Sequence, residues 1–350
     1  MGNLKARNIY RKLIFEKPAG TSRGTLITKD SYFLLLFDED NPQTVGIGEC
    51  SLLPHLSPDI RPGFYEKLQY LCNSLQLVEQ IGFFNGFPAL QMAYETAMLD
   101  LSGGGNRILF PSDFVKGKKS IPINGLIWMS EPEEMKRQVD EKLMQGFRVL
   151  KLKIGANRFE DELDVLRYIR ETYASLPIEI RLDANGAFQP AEALRKLEIL
   201  SKYDIHSIEQ PIKPKQTLAL ADICHKSPIP IALDEELIGI ENDDERLRIL
   251  EEIHPQYIVL KPSLLGGFRA TKQWIELADK FQIHWWITSA LEANIGLNAL
   301  AQFASTLDNP LVMGLGTGSL YLNNFDSPLT IIHDRLSFIP NKKWDLHDLF

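Results

Sequence analysis

The sequence is poor in cysteine, carries no excess of positive charge and contains no long apolar run. Its 3 cysteines, Cys50, Cys72 and Cys224, stand at wide and irregular spacings. An odd number so placed forms neither a zinc pattern nor a disulfide framework, and suits free thiols in a reducing cytosol, so a cytoplasmic location is expected. The formal net charge of -8 argues against a nucleic-acid or anionic-membrane partner, which would want a basic face. No apolar stretch approaches the roughly 20 residues that span a bilayer. Met1 to Lys17 is studded with Lys and Arg and lacks the apolar segment of a secretory signal. It begins Met1-Gly2 but has Ala6 where N-myristoylation wants Ser or Thr. No Gly-rich dinucleotide fingerprint follows the first strand-like runs, which argues against a doubly wound open sheet.

What is present is the composition of an ordinary globular chain, 44% hydrophobic and 24% charged over 350 residues, long enough to bury a large core without staples. Residues 1–115 read as an α+β unit. Residues 8–17 and 25–37 have strand character on either side of the turn-rich Gly20-Thr21-Ser22-Arg23-Gly24, Gly46 to Glu49 closes a third strand, and helical patterns run through 63–80 and 88–103. From 116 to 322 the pattern changes. Short apolar runs (Ile121–Ile127, Val149–Ile154, Ile178–Asp183, Ile205–Glu209, Ile231–Asp234, Tyr257–Lys261, Trp285–Thr288 and Leu311–Gly314) alternate with amphipathic helices such as Glu160–Ser175 and Gly267–Lys280. Buried strands in strict alternation with helices predict a parallel β/α barrel. The last stretch, 323–350, has no βα pattern and is expected to fold back on the N-terminal unit.

Five successive apolar runs end in ionisable residues. Lys151-Leu152-Lys153, Asp183, Glu209, Asp234-Glu235 and Lys261 end successive strands at intervals of about 25 to 30 residues, one βα unit each. In a barrel all of them lie at the C-terminal face, where such folds place their chemistry. Lys151 and Lys153 share one face of their strand. A lone Asp after a strand is often a helix N-cap, and a lone Lys often reaches for solvent. Glu209 resists that reading, because Gln210-Pro211 follows and no helix begins there. Three inward carboxylates on consecutive strands cannot all stay ionised without a compensating cation. An oxygen-only set without Cys or His suits Mg²⁺, with Mn²⁺ as a substitute, and does not suit zinc. Such an ion would stabilise the dianion formed when a proton leaves the carbon next to a carboxylate, and a lysine with a lowered pKa would take that proton. Lys151 can lower the pKa of Lys153 by like-charge repulsion, and Lys261 lies across the barrel mouth. Arg181 shares the inward face of Asp183 and would orient or pair with a ligand carboxylate. Asn185 and Glu235 would support the ligands from behind.

In order and spacing, Lys151-Leu-Lys153, Asp183-Ala-Asn185-Gly186, Glu209-Gln-Pro211, Asp234-Glu235-Glu236 and Lys261-Pro-Ser-Leu-Leu-Gly266-Gly267 resemble the muconate-lactonizing branch of the enolase superfamily. The resemblance covers nearly the whole chain. It implies a modified (β/α)7β barrel under an N-terminal α+β capping domain completed by the C-terminal segment. It further implies Asp183, Glu209 and Asp234 as ligands of Mg²⁺, and Lys153 and Lys261 as the acid/base pair. Within that branch, Gly46-Ile-Gly-Glu-Cys-Ser-Leu-Leu-Pro-His55, Thr288-Ser-Ala-Leu-Glu292 and Gly314-Leu-Gly-Thr-Gly-Ser-Leu-Tyr321 look most like lyases that dehydrate a cyclohexadiene carboxylate bearing a succinyl chain. That likeness implies a small-molecule carboxylate partner. It implies that Ser289, Gly314, Gly316 and Thr317 hold the succinyl group, and that loops in the 20s and 50s cover it.

Other readings compete with these. The Gly314–Gly318 run could be a phosphate cradle or only a tight turn. Trp285-Trp286 reads as barrel packing, His206 and His284 as structural, and His55 as an exposed residue of the lid loop. Two lysines on opposite faces also serve a racemase of N-succinylamino acids or a dipeptide epimerase. The epimerase is expected to carry an Asp-x-Asp at the eighth strand, where this chain has no acid. A Schiff-base aldolase and a catalytically dead binding barrel are the readings from other classes.

Overall fold

The computed structural model describes residues 3–21, 24–80 and 82–350. Met1-Gly2 and the tip of the 20s loop, Ser22-Arg23, lie outside them. The chain opens with three long antiparallel strands, β1 (Leu4–Thr21), β2 (Gly24–Asp38) and β3 (Asn41–Ser51), in the order β1-β2-β3. The central strand β2 is apolar on both sides because both of its faces are covered. Leu34 and Leu36 pack on α1 (Phe64–Asn73) and α2 (Pro88–Ser102), while Phe33 and Leu35 pack on Leu291, Ile295, Tyr321 and Phe325. Asp59, buried, accepts from the amides of Ala89 and Leu90 and so caps α2.

After α2 the chain enters β4 (Ile121–Pro122) and β5 (Gly125–Ile127), and then alternates: α3 (Pro132–Met144), β6 (Val149–Lys153), α4 (Phe159–Thr172), β7 (Glu179–Asp183), α5 (Pro190–Leu200), β8 (Ile205–Glu209), α6 (Thr217–Lys226), β9 (Ile231–Leu233), α7 (Asp243–Ile253), β10 (Tyr257–Leu260), α8 (Pro262–Leu265), α9 (Gly267–Lys280), β11 (His284–Ile287) and α10 (Asn294–Ser305). β5 to β11 form one parallel 7-stranded sheet in sequence order. The eighth run is reduced to two parallel bridges, Ile123 to Met313 and Thr288 to Gly314, which close the sheet into a barrel. Gly314 is required there, since a Cβ would come within 2.1 Å of Thr288 Oγ1.

The run 121–127 proves to be two strands. Its first half, β4, leaves the barrel to pair with a C-terminal hairpin, β12 (Leu329–Ile332) and β13 (Arg335–Phe338). The segment after 322 is thus divided. The hairpin pairs at the strand-start end of the barrel, while Phe325 and Leu349 join the core beneath the capping sheet, and Arg11 reaches Asp348. No helix among the described residues is long and apolar enough to cross a membrane.

Candidate active site

Strand register assembles the site. Lys153 lies opposite Asp183, and Asp183 opposite Glu209, so three charged residues of β6, β7 and β8 form one row at the strand ends. Glu209 pairs with Ala232, and Asp234 follows on the same face of β9. Asp234 occupies the N-cap position of a short 3₁₀ turn, Glu235–Leu237, yet makes no capping hydrogen bond. Its carboxylate turns inward to Lys261, 2.5 Å away, instead. A cap is therefore not what this Asp is for.

Carboxylate oxygens of Asp183, Glu209 and Asp234 lie within 4.8 Å of one another, and all three residues are buried. Three ammonium groups face them. Lys151 Nζ is 2.5 Å from Glu209 and 3.0 Å from Asp183, Lys153 Nζ is 2.6 Å from Asp183, and Lys261 belongs to Asp234. Glu209 Oε1 is buried with no hydrogen-bond partner among the described residues. Burial, with Asp183 and Asp234 nearby, pushes Glu209 up to about 8 against the pull of Lys151. A hard, oxygen-only donor set with an orphaned carboxylate oxygen fits a divalent cation such as Mg²⁺.

The lysines differ in their surroundings. Burial lowers Lys153, Asp183 opposes that, and the charges of Lys151 and Lys261 reinforce it, so its net shift is downward. The expected like-charge effect is therefore present, second to desolvation. For Lys261 burial also lowers, but Asp234 and Glu235 outweigh it and the ammonium is held above its ordinary value. In Lys151 burial is overcome by Asp183, Glu209 and Asp234, and the charged form is strongly favoured. Asp183 keeps its charge despite burial because the three lysines surround it.

Behind this row, Asn185 accepts from Lys153 Nζ at 3.0 Å and donates to Glu235 at 2.9 Å, which fixes the lysine's direction. Asn185 is left-handed at φ 45, as is Gln210 at φ 38, each just past a carboxylate. The buried Gln210 accepts from the amides of Asp234 and Glu236, a positioning role the sequence reading did not single out. Arg181 corrects an expectation. It shares the inward face of Asp183 but turns away from the carboxylates, donating to Glu179 at 2.7 Å and to the Val312 carbonyl at 2.9 Å, with its guanidinium over Trp286. Lys151 takes the place beside Asp183, and Arg181 lies lower in the barrel with Glu179 and Trp286.

Above the row is a cavity of about 130 Å³ lined by Lys151, Lys153, Asn185 and Lys261 below and by Ser289, Gly314, Gly316 and Thr317 at one side. Thr317 donates to Ser289 Oγ at 2.8 Å, joining the last two walls. Leu26 of β2 and Leu53 and His55 after β3 cover the top, so the exposed His55 sits at the rim. Asn124, Leu126 and Trp128 form the remaining wall and were not anticipated. Their alternation along the first barrel strand was the available signal. His206 and His284 lie far down the strands with Tyr257, outside this cavity.

Residues 134–337 match a protein family described as enolase C-terminal domain-like. The chain is 44% identical to the o-succinylbenzoate synthase of Desulfotalea psychrophila, over 92% of this chain and 96% of that protein. The crystal structure of MenC from the same organism superposes with a TM-score of 0.86 at 40% identity, covering 96% of this chain and all (100%) of that one. A substrate-liganded L-Ala-D/L-Glu epimerase from Bacillus subtilis is similar in fold, with a TM-score of 0.81 at 20% identity over 98% of each chain.

Proposed function

This chain belongs to the enolase superfamily, and from that premise we propose that it is the o-succinylbenzoate synthase of a menaquinone-forming cell, a hydro-lyase. The reaction is loss of water from 2-succinyl-6-hydroxy-2,4-cyclohexadiene-1-carboxylate to give 2-succinylbenzoate. The observation that carries this reading is the row of Lys153, Asp183 and Glu209 with Asp234 and Lys261 beside it, beneath a partly covered cavity walled on one side by Ser289, Gly314, Gly316 and Thr317. Asp183, Glu209 and Asp234 would hold Mg²⁺, whose positive charge stabilises the substrate's dianionic form as it develops.

The remaining work falls to the chain's own groups. Lys153, lowered by burial and directed by Asn185, takes the proton from the carbon bearing the carboxylate. The electron pair released forms the ring double bond as the neighbouring C–O bond breaks. The departing hydroxide needs a proton, and with both groups leaving from one face the proton on Lys153 is the one in reach. Lys261, held in its charged form by Asp234, faces the developing negative charge from the opposite side and keeps its proton. Ser289, Gly314, Gly316 and Thr317 bind the succinyl arm, and Leu26, Leu53 and His55 exclude water.

The test is turnover of the cyclohexadiene carboxylate followed by absorbance, with Mg²⁺ and with EDTA, for wild type and Lys153→Ala. Metal-dependent turnover in the wild type, reduced by about 10³-fold or more in Lys153→Ala, is the expected result. Deuterium exchange at the α-carbon of N-succinylamino acids, without dehydration, would instead make the chain a racemase, for which Lys153 and Lys261 on separate strands also suffice.

A further inference from the structure

The cap is fastened to the barrel by a buried polar chain that takes no part in the chemistry above. Lys29 on β2 is buried; its ammonium donates to Ser31 Oγ and Ser51 Oγ, each at 2.8 Å, and stands 3.9 Å from Glu49 Oε1. Ser31 and Ser51 face one another across β2 and β3. Lys29 therefore ties the two strands together just where each meets a covering segment. Glu49 carries the link onward. It accepts from the Ser31 hydroxyl at 2.9 Å and from the amides of Ala293 and Gly296 at 2.9 and 3.0 Å, holding the start of α10. Gly296 lets it approach, since a Cβ there would come within 2.8 Å of Glu49 Oε2. The Ser51 hydroxyl also donates to the carbonyl of Ala290 at 3.4 Å.

The placement of these residues gives the chain its meaning. Lys29 follows Leu26, Ser51 precedes Leu53, and Ala290 lies between Ser289 and Leu291, and Leu26, Leu53, Ser289 and Leu291 all line the cavity. Ser289 passes the connection to Thr317. One ammonium thus stands at the root of both cap segments and behind the loop that follows β11. An apolar side chain could pack a sheet core at lower desolvation cost, but it could not set the spacing of these three walls through directed hydrogen bonds.

We propose that Lys29 is a positioning residue for the non-reacting arm of the substrate. It sets how closely the cap segments and the 288–291 loop grip that arm, without touching the proton-transfer groups. The proposal rests on the function proposed above, and its failure is separable from the failure of that function. Steady-state kinetics with Mg²⁺ on wild type, Lys29→Met and Ser51→Ala, together with calorimetric binding of 2-succinylbenzoate, provide the test. In Lys29→Met, KM and the product Kd are expected to rise by about tenfold while kcat stays within about threefold of wild type. Ser51→Ala, which keeps the buried charges, is expected to raise both constants by about threefold, and decides the matter if circular dichroism shows Lys29→Met unfolded. An unchanged KM, or a fall in kcat at least as large as the rise in KM, would make Lys29 a merely structural residue and overturn the proposal. No turnover by the wild type would overturn the functional reading and this proposal with it.

Discussion

Lys153 and Lys261 are the same side chain sent in opposite directions by their neighbours. Both are buried, but for Lys153 burial outweighs the pull of Asp183, whereas for Lys261 Asp234 and Glu235 outweigh burial, so one is shifted down and the other up. In the proposed reaction that asymmetry would divide a base from an electrostatic stabiliser without any difference in residue type. Among the three carboxylates proposed to hold the cation Glu209 stands out, because its Oε1 is buried and has no partner among the described residues. Loss of an outer partner of a metal ligand costs about 10–100-fold in affinity. Glu209→Gln, which removes a ligand's charge, is expected to weaken Mg²⁺ by at least about that much, measured by titration calorimetry. Unchanged affinity would mean that the cation sits elsewhere.

At the scale of elements, β3 lies unusually close to α2. Gly46 and Gly48 point one face of the strand at the helix, and a Cβ on Gly48 would sit 1.8 Å from the Ala93 carbonyl oxygen, one on Gly46 2.0 Å from that of Ala97. Neither backbone can yield, since Ala93 and Ala97 are themselves fully buried in the cap's helical core. Gly48→Ala is therefore expected to lower stability by about 1–3 kcal/mol or more, read as a fall in thermal midpoint. A neutral effect would show that strand and helix can part. The two glycines and the two alanines at helical spacing are visible in the sequence; that they meet is not, because strand and helix are separated by the whole of the 52–87 segment. The same distinction holds for Arg181. Periodicity correctly turned it inward, but only the neighbouring strand's Lys151 and Glu179 decided which way along the barrel it points.

For the whole molecule, the buried carboxylates are balanced by lysines on other strands as well as by the cation they would bind. Chelation with EDTA is therefore expected to stop turnover while leaving far-UV circular dichroism unchanged; loss of the helical signal would mean that the ion holds the fold. The sequence by itself determined the barrel, because its alternation of short apolar runs and amphipathic helices is a local, periodic property. It determined the row of Lys151, Lys153, Asp183, Glu209, Asp234 and Lys261 as well, because a charge that ends a buried strand has few places to go. Tertiary structure alone decided the rest. The division of 121–127 between two sheets, the Asn124–Trp128 wall, the service of Gln210 to Asp234 and the Lys29 chain all depend on contacts between residues far apart in sequence. A side chain's partners across such distances are set by register and packing, which no local pattern of residues encodes.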